Sequence, residues 1–137
     1  METDEVINTI KLSLEFSRNG LIDEFQELHH QDYTRFSDLP PFRLQSREEA
    51  LKLKLSLMTE LVDFDYRMTE PQVVIMGDVA LAVFTMRYGG MAVNNYAFEG
   101  RMVDAAVRCS MVLRRVGRSW KILHEHVSRI PEGFSAD

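Results

Sequence analysis

The chain has 137 residues, 45% of them hydrophobic and 27% charged, with a net charge of −5. These values describe one soluble globular domain over residues 1–137, and the acidic balance without a concentrated basic face argues against a nucleic-acid partner. A single cysteine, Cys109, excludes an intrachain disulfide, the acidic start is unlike a signal peptide, and no apolar run is long enough to span a membrane, so the expected location is cytoplasmic.

Val6, Ile7, Ile10, Leu14 and Phe16 recur at helical spacing, with Thr3 or Asp4 as the cap and Asn19-Gly20 as the stop. A second short helix is expected from Leu21 to about Leu28, and His29-His30 reads as its solvated end. Tyr33 to Phe36 reads as a short strand, followed by a loop in which Pro40-Pro41 forbids a helix. Ser46 and Glu49 form a capping box for a third helix running to about Val62.

From Asp63 the apolar period changes to two. Asp63 to Met76 reads as one strand, interrupted or bulged near Pro71. Gly77-Asp78 is a turn, Val79 to Tyr88 a strand, Gly89 to Gly100 a longer connection, and Arg101 to Arg115 another strand. A tight turn at Gly117-Arg118-Ser119 leads into the last strand, through Ser128. Helices followed by an antiparallel sheet give an α+β fold.

Strand parity sorts the candidate residues. Val103, Ala105, Val107, Cys109, Met111 and Leu113 form an apolar face, with Asp104, Arg108, Ser110 and Arg114 opposite. Trp120, Ile122, His124, His126 and Ser128 share one face of the last strand, and Lys121, Leu123, Glu125 and Val127 the other. A sheet patterned on both sides is expected to be covered by the helices on one face and by another subunit on the other.

The element order, the Met76-Gly77-Asp78 turn, the strand ending in Arg87, the Arg114-Arg115 pair, and then Gly117, Trp120, His124, His126, Ser128 and Pro131 carry a resemblance. In order and spacing the chain resembles the nuclear transport factor 2-like superfamily, which includes ketosteroid isomerase and the SnoaL-like polyketide cyclases. Within it, the chain resembles the association domain of calcium/calmodulin-dependent protein kinase II and its bacterial SnoaL-like relatives. The resemblance implies a cone: a curved antiparallel sheet wrapped around three N-terminal helices, with a pocket at the open end and pairing into a homodimer through the outer sheet face. In the kinase domain arginines line the pocket; by position one matches Arg87, whereas the others fall on Ser110 and Val127. Arg108 and Glu125 have the parity to line the pocket instead. Ketosteroid isomerase places its base where this chain has Ser37 or Asp38, and its tyrosine donor where this chain has Ser13, a substitution that argues against steroid isomerisation.

The ligand pocket is therefore expected around Arg87, Arg108, Ser110 and Glu125, with Asp38 or Tyr33 as the acid–base group, and Trp120, His124 and His126 on the outer or dimer face. Two histidines on one strand are too few for zinc, so no metal is expected, and no cofactor. Cys109 reads as core, without a base beside it. The eight methionines read as flexible core filler. Two functions are carried forward. One is a pocket for a small, largely apolar ligand bearing a carbonyl or carboxylate, acted on by isomerase, cyclase or lyase-type acid–base chemistry. The other is a non-catalytic association module.

Overall fold

A computed structural model describes residues 2–94 and 99–134. Helix α1 (Glu2–Arg18) buries Val6, Thr9, Ile10, Ser13, Leu14 and Ser17 along one stripe. It stops at Gly20, whose φ of 71° is open to glycine without strain. There the Leu21 amide donates to Phe16 and the Gly20 amide to Ser17, capping the last carbonyls. Helix α2 (Ile22–Glu27) inserts Phe25 into the core, and strand β1 (His29–Phe36) follows directly. His29 begins this strand and is 3% exposed, so it is a core residue and not a solvated helix end. Helix α3 (Arg47–Glu60) starts at Ser46, whose hydroxyl accepts from the Glu49 amide.

Next come β2 (Leu61–Met68), β3 (Gln72–Met76), β4 (Val79–Asn94), β5 (Glu99–Val116) and β6 (Ser119–Arg129). The sheet order is β1-β6-β5-β4-β2, with β3 also on β4. Every pairing is antiparallel except β1 with β6, which is parallel, so the first strand closes on the last. The fold is the expected α+β cone, its curved sheet packed against the helices. The interruption expected near Pro71 is a full break, so the run expected over Asp63 to Met76 forms two strands. The long β4 accommodates both, taking β3 beside its first half and β2 beside its second. Gly89 and Gly90 lie within β4, which runs on to Asn94, instead of opening a long connection. A side chain at Gly89 would place its Cβ 2.6 Å from the Val103 carbonyl oxygen, which is why backbone alone fits there.

The core is the inward face of β4 and β5, namely Ala80, Ala82, Phe84, Tyr88, Ala105, Val107, Cys109, Met111 and Leu113, under α1 and α3. Strand β6 does not keep one parity from end to end. Its register against β5 shifts between Val112 and Leu113, leaving Leu123 as the extra residue of a bulge. Trp120 and Ile122 therefore point inward before the bulge, and Glu125 and Val127 inward after it. Trp120 is 3% exposed and packs in the core under the Arg115 guanidinium, 5.0 Å from the ring centre, which corrects its expected place on the outer face.

Replacing Gly89 with Ala forces its new methyl against backbone that has little room to retreat. The expected loss is about 1–3 kcal/mol of unfolding free energy by chemical denaturation. A variant as stable as wild type would show that β4 and β5 do not approach this closely.

Candidate functional site

The site is built around one carboxylate. Glu125 is 4% exposed and faces inward from β6 beside Met111 of β5. Its Oε1 accepts from the Tyr33 hydroxyl at 2.7 Å and from the Lys54 ammonium at 2.8 Å. Its Oε2 lies 3.9 Å from Nε of Arg35, its cross-strand neighbour on β1. Burial alone would raise the Glu125 pKa, but the Lys54 and Arg35 charges and the two hydrogen bonds overcome it and hold the carboxyl below its ordinary range. Glu125 is an anion in the core.

Lys54 stands in the buried stripe of α3 with Ala50 and Leu51, 5% exposed, its ammonium over the rings of Phe25 and Tyr33. It also meets His29 Nε2 at 3.2 Å. His29 Nδ1 sits 2.8 Å from the Phe25 carbonyl, an oxygen that can only accept, so Nδ1 carries the proton and Nε2 accepts from Lys54. Burial, and then the Lys54 charge, pushes the imidazole down to about 3. Burial likewise lowers the Lys54 pKa, against the opposing pull of Glu125. For Tyr33, burial and the Glu125 charge raise the phenol well above its usual value, keeping it a donor.

A second carboxylate, Asp38, lies in the segment after β1 with its side chain 2% exposed. Its Oδ2 accepts from the Tyr88 hydroxyl and from Arg129, each at 2.9 Å. Burial and the Asp38 charge raise the Tyr88 pKa, so the hydroxyl keeps its proton. Asp38, Tyr88, Glu125, Lys54 and Arg35 line one small internal cavity of about 30 Å³, closed by Leu14, Leu57, Phe64, Met86 and Val127. That is room for one or two water molecules. Larger hollows, of about 460 and 370 Å³, lie open on the sheet, and their charged residues are exposed. Charges act most strongly where water is excluded, which favours the enclosed cavity over these open hollows as a place for chemistry.

Three residues expected in the pocket lie outside the enclosed cavity. Arg87 is on the exposed sheet face, its side chain 57% exposed, paired with Asp104 at 3.0 Å. Arg108 and Ser110 share that face, where they line the open hollow of about 460 Å³, and Arg108 donates to Ser128. The reason is that the apolar face of β5 fills the core, which turns its polar face outward. Asp38, Tyr33 and Glu125 are brought together inside. His124 and His126 lie on the outer face, either side of the Phe36 ring, with His124 Nδ1 bonded to the Thr34 hydroxyl at 2.8 Å. Ser13 spends its hydroxyl on the Ile10 carbonyl of its own helix.

Arg35, Lys54, His29, Tyr88 and Arg129 are additional site residues. A lysine within an apolar stripe of α3 was a legible signal; the place of Arg35 was not, because it depends on a parallel pairing with a strand 90 residues later in the chain. Among the described residues, no group of three or more His, Cys, Asp or Glu gathers as a metal site, and no helix is long and apolar enough to cross a membrane.

The SnoaL-like domain family matches residues 6–132. No curated protein matches the chain in sequence. Solved structures share the fold at low identity. A candidate dehydratase of the nuclear transport factor 2-like family from Streptomyces avermitilis is 19% identical, with 93% of this chain and 95% of that chain covered and a TM-score of 0.76. A candidate calcium/calmodulin-dependent protein kinase II association domain from Xanthomonas campestris is 17% identical, covering 93% and 87%, with a TM-score of 0.73. A ketosteroid isomerase-like protein from Erwinia carotovora atroseptica is 18% identical, covering 96% and 98%, with a TM-score of 0.72.

The buried imidazole makes stability depend on pH with a definite sign. An unfolded chain protonates His29 near 6.5, the folded chain only near 3, so between these values the unfolded state binds more protons. His29 thus contributes stability that is complete above 6.5 and falls as acid is added, by up to about 1.4 kcal/mol per pH unit. Glu125, whose carboxyl is also depressed, adds a loss in the same direction below the ordinary carboxylate range. In His29→Gln the slope of unfolding free energy between pH 6 and about 4.5 is expected to flatten. An unchanged slope would mean that His29 is not the group being protonated.

Proposed function

The chain belongs to the SnoaL-like family, and we propose that it binds a small, largely apolar molecule bearing a carbonyl or carboxylate and acts on it by cofactor-independent acid–base chemistry of the isomerase, cyclase or lyase type. The observation that carries this reading is the enclosed cavity in which two carboxylates, Asp38 and Glu125, share walls with Arg35, Lys54 and apolar side chains.

The two carboxylates have different environments and so different roles. Glu125 takes its hydrogen bonds from Tyr33 and Lys54 on Oε1, has the Arg35 charge beside Oε2, and serves to hold the cations in place. Tyr33, already committed to Glu125, belongs to that frame. Asp38 takes Tyr88 and Arg129 on one oxygen and meets only Ser37, at 3.5 Å, on the other, which among the described residues has no cation beside it and makes Asp38 the base of this reading. In this reading Asp38 takes a proton from the carbon beside the ligand's carbonyl. The electron pair moves onto the carbonyl oxygen, whose charge is met by the Arg35 and Lys54 donors. A ligand enters by displacing the cavity water and turning aside Met86, whose unbranched side chain yields easily.

The reading is tested by a thermal-shift screen of apolar carboxylates and polyketide-like ketones, since a ligand of the native state raises its melting temperature. For a compound found this way and turned over, Asp38→Asn is expected to keep binding and to lose about 10²–10⁴-fold in kcat. Turnover at the wild-type rate in that variant removes Asp38 from the chemistry.

An association module is the second reading, favoured by the outer sheet face. Val74, Met76, Val83 and Val116 stand 57, 58, 39 and 48% exposed there, a set of apolar side chains on one face. A homodimer through this face should sediment as a dimer across the micromolar range, and Val83→Lys should weaken it. A wild-type monomer in that range overturns this reading.

A further inference from the structure

Among the described residues, Arg35 holds the one fully buried side-chain donor on the cavity wall that lacks a hydrogen-bond partner. Its side chain is 10% exposed, and its Nε is a buried donor without a hydrogen-bond partner. The nearest carboxylate oxygen, Glu125 Oε2, is 3.9 Å away, too far for a hydrogen bond. Glu125 directs its other oxygen to Lys54 and Tyr33 instead. Among the described residues, Gln45, Glu49 and Trp120 also hold unpartnered buried atoms, but none of them lines the cavity.

Charge leads to the same place. Two cations, Arg35 and Lys54, and two carboxylates, Glu125 and Asp38, line the cavity, and Arg129, 46% exposed beyond the lining, also pairs with Asp38. Lys54 pairs with Glu125 at 2.8 Å, so Arg35, 3.9 Å from the other oxygen of the same carboxylate, is the lining cation held least closely. His29, Tyr33 and Tyr88 are neutral and supply no further counter-charge. A buried cation held only at a distance is costly, and a guanidinium presents a planar fork of donors that matches a carboxylate.

We infer that Arg35 is the specificity-determining anchor of this cavity and that the ligand carries one carboxylate, seated on the Arg35 guanidinium, in preference to a neutral carbonyl. This rests on the small-ligand reading above and narrows it to monocarboxylic acids with an apolar tail. The tail lies toward Leu57, Phe64 and Met86. An amide or ketone would leave the Arg35 fork without a charged partner.

The test is calorimetric and thermal-shift titration of the wild-type protein, in a chloride-free buffer, with acetate, butyrate and benzoate. The matched amides, the neutral ketones butanone and acetophenone, and sodium chloride are run beside them. The expected result is binding of butyrate and benzoate, amides about ten- to a hundredfold weaker, and little effect of chloride. In Arg35→Met, which removes the guanidinium, the preference for acid over amide is expected to vanish. Arg35→Lys, which keeps the charge and loses the fork, should retain part of it.

Equal binding of acids and amides overturns the inference, as does undiminished acid binding in Arg35→Met. A chloride effect equal to that of the acids also overturns it, because the site would then be a halide site. Should Arg35→Met not fold, the acid–amide contrast on wild type still decides. Ketones binding where acids do not would sink the carboxylate anchor and leave the small-ligand reading standing. No binding by any of these compounds would remove both.

Discussion

The ion pair between Lys54 and Glu125 is the contact on which the inside of this protein is arranged. It ties α3 to β6, and through Tyr33 and Arg35 it also ties in β1, so three segments far apart in the chain converge on one carboxylate. Removing one member of such a pair leaves an unpaired charge in the core, a loss of about 3–5 kcal/mol in comparable buried pairs. The same geometry makes the cluster expensive in its intact form: replacing both charges with packed apolar side chains is often neutral or stabilising. A core that keeps lysine, arginine and glutamate together while apolar residues fill the rest of it is better understood by what the charges hold than by what they stabilise.

What they hold is Arg35. With Glu125 turned toward Lys54 and Tyr33, the guanidinium beside it is paired at 3.9 Å without a hydrogen bond and faces the small cavity. The second carboxylate, Asp38, is set apart by its own partners, Tyr88 and Arg129. Two acids in one cavity thus have separate surroundings, one set between two cations and one with an oxygen met only by Ser37, the arrangement by which paired carboxylates take different roles. The small cavity volume sets a further condition. Any ligand larger than one or two waters moves a wall, and the wall contains Met86 and Leu57.

The outer sheet face shows how the same residue types behave when water reaches them. Arg87 and Asp104 form a bidentate pair there, with hydrogen bonds of 3.0 and 3.4 Å, yet both side chains are more than half exposed. Such pairs contribute little, at most about 1 kcal/mol. Burial, more than the identity of the residue, separates a structural surface ion pair from the inner cluster.

Much of the fold was legible from local signals, because those signals are local in origin. The stripe from Val6 to Leu14, the stop at Gly20, the Ser46 cap and the turns at Gly77 and Gly117 each depend on side chains within one turn of helix or hairpin, and each stands where expected. Family motifs near the C-terminus were readable for the same reason. Asp38, Tyr33 and Glu125 were named as site residues from such motifs and from parity, and they do line or border one cavity. What only the tertiary structure decided was which face of the sheet is inside, and what meets there. The bulge at Leu123 reverses the parity of β6 and sends Trp120 into the core, and the apolar face of β5 claims the interior, so Arg87, Arg108 and Ser110 turn outward. Arg35 and His29 join the site through a parallel pairing of the first strand with the last. A period of two says that side chains alternate. It does not say which half is buried, and that choice depends on contacts made by residues too far apart in the chain for any local pattern to record.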